Sequence, residues 1–161
     1  AALGVGRDGE RLLDLGSALI GSGDREAGKK EFIAAFSDPT NPTPEISARN
    51  LGQVYLEEKN YSEATSWFRA SLSRNKDYPD PYLGLAESLV GAGRPDEAMA
   101  QLQAGLTTIP GDPSLNLALG QALFKAGRFA EARARLEEAI KKDPAGPAGR
   151  EAAVQLKALP R

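Results

Sequence analysis

The chain contains no cysteine and no histidine. Without cysteine there is no disulfide, no thiolate zinc site and no thiol nucleophile. Without histidine the commonest general base and the commonest metal ligand are both missing. Most hydrolase, transferase and metalloenzyme mechanisms thereby lose a usual participant, so the sequence reads as a non-enzyme that takes no cofactor and no metal. A surplus of charge is lacking as well: 20 Lys and Arg stand against 22 Asp and Glu, a formal net charge of −2. Nucleic-acid affinity needs a clustered basic excess, and this balance excludes it from the expected partners. No run approaches the ~18 apolar residues a membrane span requires. The start, Ala1-Ala2-Leu3-Gly4-Val5-Gly6, has neither an initiator methionine nor a charged leader. It reads as a mature chain or an excised fragment, so any contact with a membrane would run through an N-terminal lipid anchor outside this chain.

What is present is a repeat. The 161 residues, 41% hydrophobic and 26% charged, suit one soluble domain over 1–161. Four pentapeptides correspond: Leu15-Gly16-Ser17-Ala18-Leu19, Leu51-Gly52-Gln53-Val54-Tyr55, Leu85-Ala86-Glu87-Ser88-Leu89 and Leu119-Gly120-Gln121-Ala122-Leu123, at steps of 36, 34 and 34 residues. The same steps relate Gly28, Ala64, Ala98 and Ala132; then Phe32, Phe68, Leu102 and Leu136; then Ala35, Ser71, Gly105 and Ala139. Within a unit, large, small and large residues at i, i+1 and i+4 mark one face of a first helix. A breaker follows in each unit: Gly21-Ser22-Gly23-Asp24, Lys59-Asn60, Gly91-Ala92-Gly93-Arg94 and Ala126-Gly127-Arg128. These residues tolerate a left-handed helix end. Small, large and small at i, i+4 and i+7 then mark a second helix, and Pro110 and Pro144 close the last two units.

A 34-residue helix–turn–helix with this order of large and small positions resembles the tetratricopeptide repeat. The units run 9–44, 45–78, 79–112 and 113–146. The early aromatic position is filled only by Tyr82, and Gly28 and Ser71 stand where the family usually has alanine. Residues 147–161, with Ala152, Val154, Leu156 and Leu159 among charges, read as a capping helix over the last hairpin. The resemblance implies an all-α fold, a right-handed superhelix of about four helical hairpins plus that cap.

Two motifs point elsewhere and fail on context. Gly4-Val5-Gly6-Arg7-Asp8-Gly9 has the spacing of a dinucleotide fingerprint, but only three residues precede it, too few for a feeding strand. Gly23-Asp24-Arg25-Glu26-Ala27-Gly28-Lys29-Lys30 falls one residue short of a P-loop; Lys30 replaces the magnesium-holding hydroxyl, and Asp24 and Glu26 would repel phosphate. The repeat makes Gly23 a turn and Gly28 a packing position. Trp67 reads as interhelical packing rather than an exposed anchor, and the alternating charges of Arg133 to Lys142 as a solvated helix face.

The resemblance implies a groove lined by first helices that holds a strand, peptide segment or helix of another protein. By register the groove residues are Leu13, Ser17 and Ile20; Arg49, Asn50, Gln53, Leu56 and Glu57; Leu83, Glu87 and Val90; and Leu117, Gln121 and Phe124. Chaperone-binding members clamp a terminal carboxylate with cationic and Asn side chains from successive first helices; here only Arg49 and Asn50 stand at such positions, which argues against a clamp. Leu56, Leu83, Val90, Leu117 and Phe124 are expected to form a partly exposed apolar strip. The two-residue insertion between units one and two, in Ala35-Phe36-Ser37-Asp38-Pro39-Thr40-Asn41-Pro42-Thr43-Pro44 followed by Asn50-Leu51-Gly52, resembles the inter-repeat segment of the type IV pilus pilotin lipoproteins. That likeness implies a pilus-biogenesis factor at the periplasmic face of the outer membrane, with a secretin as partner. The alternatives are a scaffold of the cytosol or envelope with an unrelated partner, and an enzyme built only on Ser, Lys, Tyr and carboxylates. Segment 38–44 is expected to be irregular and surface-exposed.

Overall fold

The computed structural model describes residues 7–160. Among them are nine α-helices and no strand: α1 (Arg7–Ser22), α2 (Arg25–Ser37), α3 (Pro44–Glu57), α4 (Tyr61–Arg74), α5 (Pro79–Gly91), α6 (Pro95–Thr108), α7 (Pro113–Lys125), α8 (Phe129–Lys142) and α9 (Pro147–Ala158). The all-helical hairpin architecture expected from the repeat is the one observed. Half of the dinucleotide-like spacing, residues 4–6, lies outside the described residues; Arg7, Asp8 and Gly9 sit at the start of α1.

Proline sets many of the starts. It occupies the first turn of α3, α5, α6, α7 and α9, where its fixed φ suits the helix and its missing donor costs nothing. Asp24, Asn60 and Asp112 cap α2, α4 and α7 by accepting from Ala27, Glu63 and Leu115 backbone N–H groups. The four hairpin turns close alike. Gly23, Lys59, Gly93 and Gly127 all have positive φ, and the next residue's N–H reaches back to Leu19, Tyr55, Leu89 and Leu123 carbonyls at 2.8–2.9 Å. This is a Schellman ending, which satisfies the last carbonyls of the first helix while reversing the chain.

Packing divides the chain between Lys76 and Asp77. In the first unit α1 packs on α2, α2 on α3 and α3 on α4, around Phe32, Leu51 and Val54, with Leu13, Ile20, Tyr55 and Trp67 against them. In the second unit each of α5 to α8 packs on the next, α5 also touches α7, and α7 touches α9. The first helices of that unit therefore lie side by side.

Within the hairpins, small residues face large ones. A Cβ added at Gly16 or Gly52 would come within 3 Å of the Phe32 or Phe68 ring, and one at Gly120 would meet Leu136 at 2.9 Å. Ala64, Ala98 and Ala132 are fully buried. One repeat position departs from its counterparts, and one expectation needs correction. Leu15 is 48% exposed although its counterparts Leu51, Leu85 and Leu119 are buried; α2 covers α3 and α6 covers α7, whereas no helix precedes α1 among the described residues. Segment 38–44 is irregular up to the start of α3 and exposes Pro39, Thr40 and Pro42, but Asn41 is buried. Its Nδ2 donates to the Ala35 carbonyl at 2.7 Å and its Oδ1 accepts from Thr43 N–H at 3.0 Å, so the insertion is pinned to the end of α2.

Candidate functional site

Small side chains on α7 open the second unit. Ala118 and Ala122 leave a cavity of about 380 Å³ against Leu83, Glu87 and Val90 of α5, floored by Ala98 and Leu102 and bordered by Gln121 and Lys125. A second cavity, of about 340 Å³, is lined by Gln121, Phe124 and Lys125 of α7, Leu136 of α8, and Gln155 and Ala158 of α9. Gln121 and Lys125 border both. Val90 and Phe124 remain 47% and 39% exposed beside these openings, and the Phe124 ring leans on Phe129 with centroids 5.6 Å apart. The first unit has a shallower counterpart of about 200 Å³ among Ser17, Ile20, Phe32, Asn50, Gln53, Val54 and Glu57.

The structure thus brings together Ser17, Ile20, Asn50, Gln53 and Glu57 in one unit, and Leu83, Glu87, Val90, Gln121 and Phe124 in the other. It does not gather the rest of the expected groove. Leu56 is only 7% exposed, a correction to the apolar strip: register places it with Val90 and Phe124, but exposure is decided by the surroundings of each helix, and here they enclose it. Leu13 packs on the core of the first unit, and half-buried Leu117 borders none of the cavities described here. Arg49 donates from Nη1 to Asn50 Oδ1 at 3.0 Å. Gln53 Nε2 donates to Glu57 Oε1 at 3.3 Å, and Glu57 also accepts from Arg25. Sequence reasoning missed Ala118, Ala122, Lys125 and Gln155. The signal for Gln155 was present, because it stands 34 residues after Gln121.

Charge elsewhere is structural. Lys29, in the segment that resembles a P-loop, is buried with its Nζ 2.6 Å from Glu26 Oε1 and 2.9 Å from Glu58 Oε2, and 4.8 Å from the centre of the Tyr55 ring. Two of its three donors go to carboxylates, whose negative charge opposes a phosphate there. Trp67 meets Phe36 edge-on at 5.5 Å between centroids and is half-buried, the packing role expected for it. Among the described residues no group of three or more acidic side chains could hold a metal, and no helix is long and apolar enough to cross a membrane.

Two models of the tetratricopeptide repeat match, one at residues 55–114 and 89–158 and the other at residues 13–80. Curated protein sequences give no match. Among solved structures the chain is similar to a tetratricopeptide repeat protein from Parabacteroides merdae, with a TM-score of 0.75, 17% identity and 94% of this chain covered. The chain spans 60% of that protein's length. It is also similar to the type III secretion translocator chaperone SycD of Yersinia enterocolitica (TM-score 0.67, 18% identity, 74% of this chain and 92% of that one). A third likeness is to YrrB, a protein of the same repeat with an unusual peptide-binding site (TM-score 0.62, 20% identity, 91% of this chain and 75% of that one). At these identities the likeness is one of fold. The repeat models together run from residue 13 to residue 158, over the same helical hairpins the structure displays, and the chain belongs to the tetratricopeptide repeat family.

Proposed function

We propose that this chain is a non-enzymatic scaffold that holds an apolar segment of another protein against α5, α7 and α9. The observation that carries this reading is the pair of cavities flanking Gln121, with Val90 and Phe124 exposed beside them. Exposed apolar side chains gathered at a concavity mark interaction sites. SycD, named a chaperone, and YrrB, named for a peptide-binding site, support a protein-binding use of the shared fold. The face does not favour a carboxylate clamp, because the two cavities flanking Gln121 carry Lys125 as their single cation.

The test is selection of peptides from a displayed library on the immobilised full chain, followed by calorimetry on wild-type, Phe124→Ala and Arg49→Ala proteins. Truncating Phe124 is expected to cost on the order of 2 kcal/mol if it anchors the partner, and Arg49→Ala less. Equal affinity across all three would place the binding surface elsewhere.

At the finer level, the likeness of residues 35–52 to the pilotin segment supports a pilus secretin as the partner and the periplasmic face of the outer membrane as the location. Purified secretin fragments would then bind the wild-type chain, and a chain shortened by two residues within 38–43 would keep its helices but lose that affinity. Undiminished binding by the shortened chain would leave the insertion a purely structural element.

A further inference from the structure

In the first unit the second helices α2 and α4 are bridged by the chain's own rings. Trp67 meets Phe36 edge-on at 5.5 Å between centroids, and the Arg74 guanidinium lies 5.0 Å from the centre of the Phe36 ring. In the second unit α6 and α8 hold the same pair of places, and the repeat steps carry Phe36 to Leu106, Trp67 to Arg135 and Arg74 to Lys142. No ring stands at these positions. Instead a cavity of about 520 Å³ opens among Gln103 and Leu106 of α6, Asn116 of α7, and Glu131, Arg135 and Glu138 of α8. None of these residues lines the two cavities flanking Gln121, so this cleft is separate from the face proposed above.

The most buried of these residues is polar. Asn116 is 1% exposed; its Nδ2 donates to the Asp112 carbonyl at 3.0 Å, which fixes the orientation of the amide. Its Oδ1 is left with no donor among the described residues, an arrangement that costs stability until a donor is supplied. The charges around the cleft are of both signs and already engaged. Glu131 accepts two hydrogen bonds from Arg128 at 2.7 and 2.6 Å, and Glu138 faces Lys141 and Lys142 at 3.7 Å. Arg135 crosses to Gln103, Nη2 to Oε1 at 3.4 Å, a long bond that an incoming group displaces at little cost. Carboxylates oppose an anion here and Arg135 opposes a cation, so the cleft favours a neutral occupant.

We infer that the cleft between α6 and α8 receives a tryptophan side chain of another protein, seated between Leu106 and Arg135 with its indole N–H turned to the Asn116 carbonyl. The inserted ring supplies what Trp67 supplies between α2 and α4. Guanidinium groups stack on aromatic faces, and Leu106 gives the apolar contact that Phe36 gives Trp67. Phenylalanine brings no donor, and a tyrosine hydroxyl accepts as well as donates. The indole N–H is a donor only, the complement of a lone carbonyl oxygen.

The experiment is nitrogen-15 chemical-shift titration of the full chain with three peptides. The first is acetyl-Gly-Ser-Trp-Ser-Gly-amide, the second has leucine in place of tryptophan, and the third is the first with its indole nitrogen methylated. The first is expected to bind about tenfold more tightly than the second, a difference of about 1.4 kcal/mol, and to shift the side-chain amides of Gln103 and Asn116. Methylation should weaken binding severalfold. Arg135→Trp places the chain's own ring where the first unit has Trp67 and should abolish binding, and Arg135→Ala should weaken it severalfold, with thermal melting showing both variants folded. Equal binding of the three peptides, indifference to methylation, or undiminished binding to Arg135→Trp overturns the inference. Binding that shifts Gln121 and Gln155 instead overturns it while leaving the scaffold reading standing. Binding of none overturns it too, and the library selection then judges the scaffold reading separately.

Discussion

Lys29 is enclosed in the first unit, at 7% exposure, and stays charged because its surroundings supply anions. The Glu26 hydrogen bond raises its pKa most; burial opposes this, and Glu58 adds to the rise. For Glu58, burial pushes upward, but the hydrogen bond and charge of Lys29, followed by those of Arg25, outweigh it and hold the carboxyl below its ordinary value. A carboxyl depressed by folding stabilises the protein above its unfolded value and loses that contribution as pH falls through the folded one. Lys29 works in the opposite range, its contribution disappearing only as pH rises through its raised value. Urea unfolding should therefore show wild-type stability falling below about pH 5, and Glu58→Gln should flatten that slope. At neutral pH the same change should cost less than about 1 kcal/mol, because water screens a partly exposed ion pair. A steeper acid slope in the variant would contradict this assignment. Ala98, fully buried where α5 crosses α6, gives a second residue-scale expectation: Ala98→Leu should cost roughly 1–3 kcal/mol by overpacking. The packing positions were legible because small and large residues recur at fixed steps. Lys29 was not, since nothing in its local sequence says that Glu58, just past the end of α3, will meet it.

The hairpin is the element on which the sequence spoke most plainly. All four breakers became Schellman turns, three with glycine and one with Lys59 at φ 58°. A left-handed conformation is unfavourable for a residue with a Cβ by about 1–2 kcal/mol, while glycine costs about 0.5–1 kcal/mol in backbone entropy. Lys59→Gly should therefore raise stability modestly, by up to about 1 kcal/mol, measurable as a higher urea midpoint. A lower midpoint would show that the Lys59 side chain contributes more than its backbone costs. The insertion between α2 and α3 was only half legible. Its prolines announced irregular chain, whereas the buried Asn41 bonds to Ala35 and Thr43 depend on a fold-back that composition does not reveal. Asn41→Ala should cost about 1–3 kcal/mol, because it strands the Ala35 carbonyl in a buried setting; thermal melting checks it.

At the scale of the whole molecule, one 34-residue register assigns every helix and names ten of the residues that line the cavities. It could not assign exposure. Leu56, Val90 and Phe124 share a register position, yet Leu56 is enclosed and the other two are open, because accessibility depends on neighbouring side-chain volume. Ala118 and Ala122 mattered for the same reason: their smallness makes the first cavity, and no pattern of large apolar residues points to a space. The central claim is that partners bind where α5, α7 and α9 lie side by side. Nitrogen-15 chemical-shift mapping of the full chain with a library-selected peptide tests it most directly. The account predicts perturbed backbone amides at Val90 and Phe124 and perturbed side-chain amides at Gln121 and Gln155. Perturbation confined to Gln103 and Arg135 on α6 and α8, or to the surroundings of Trp67, would contradict it.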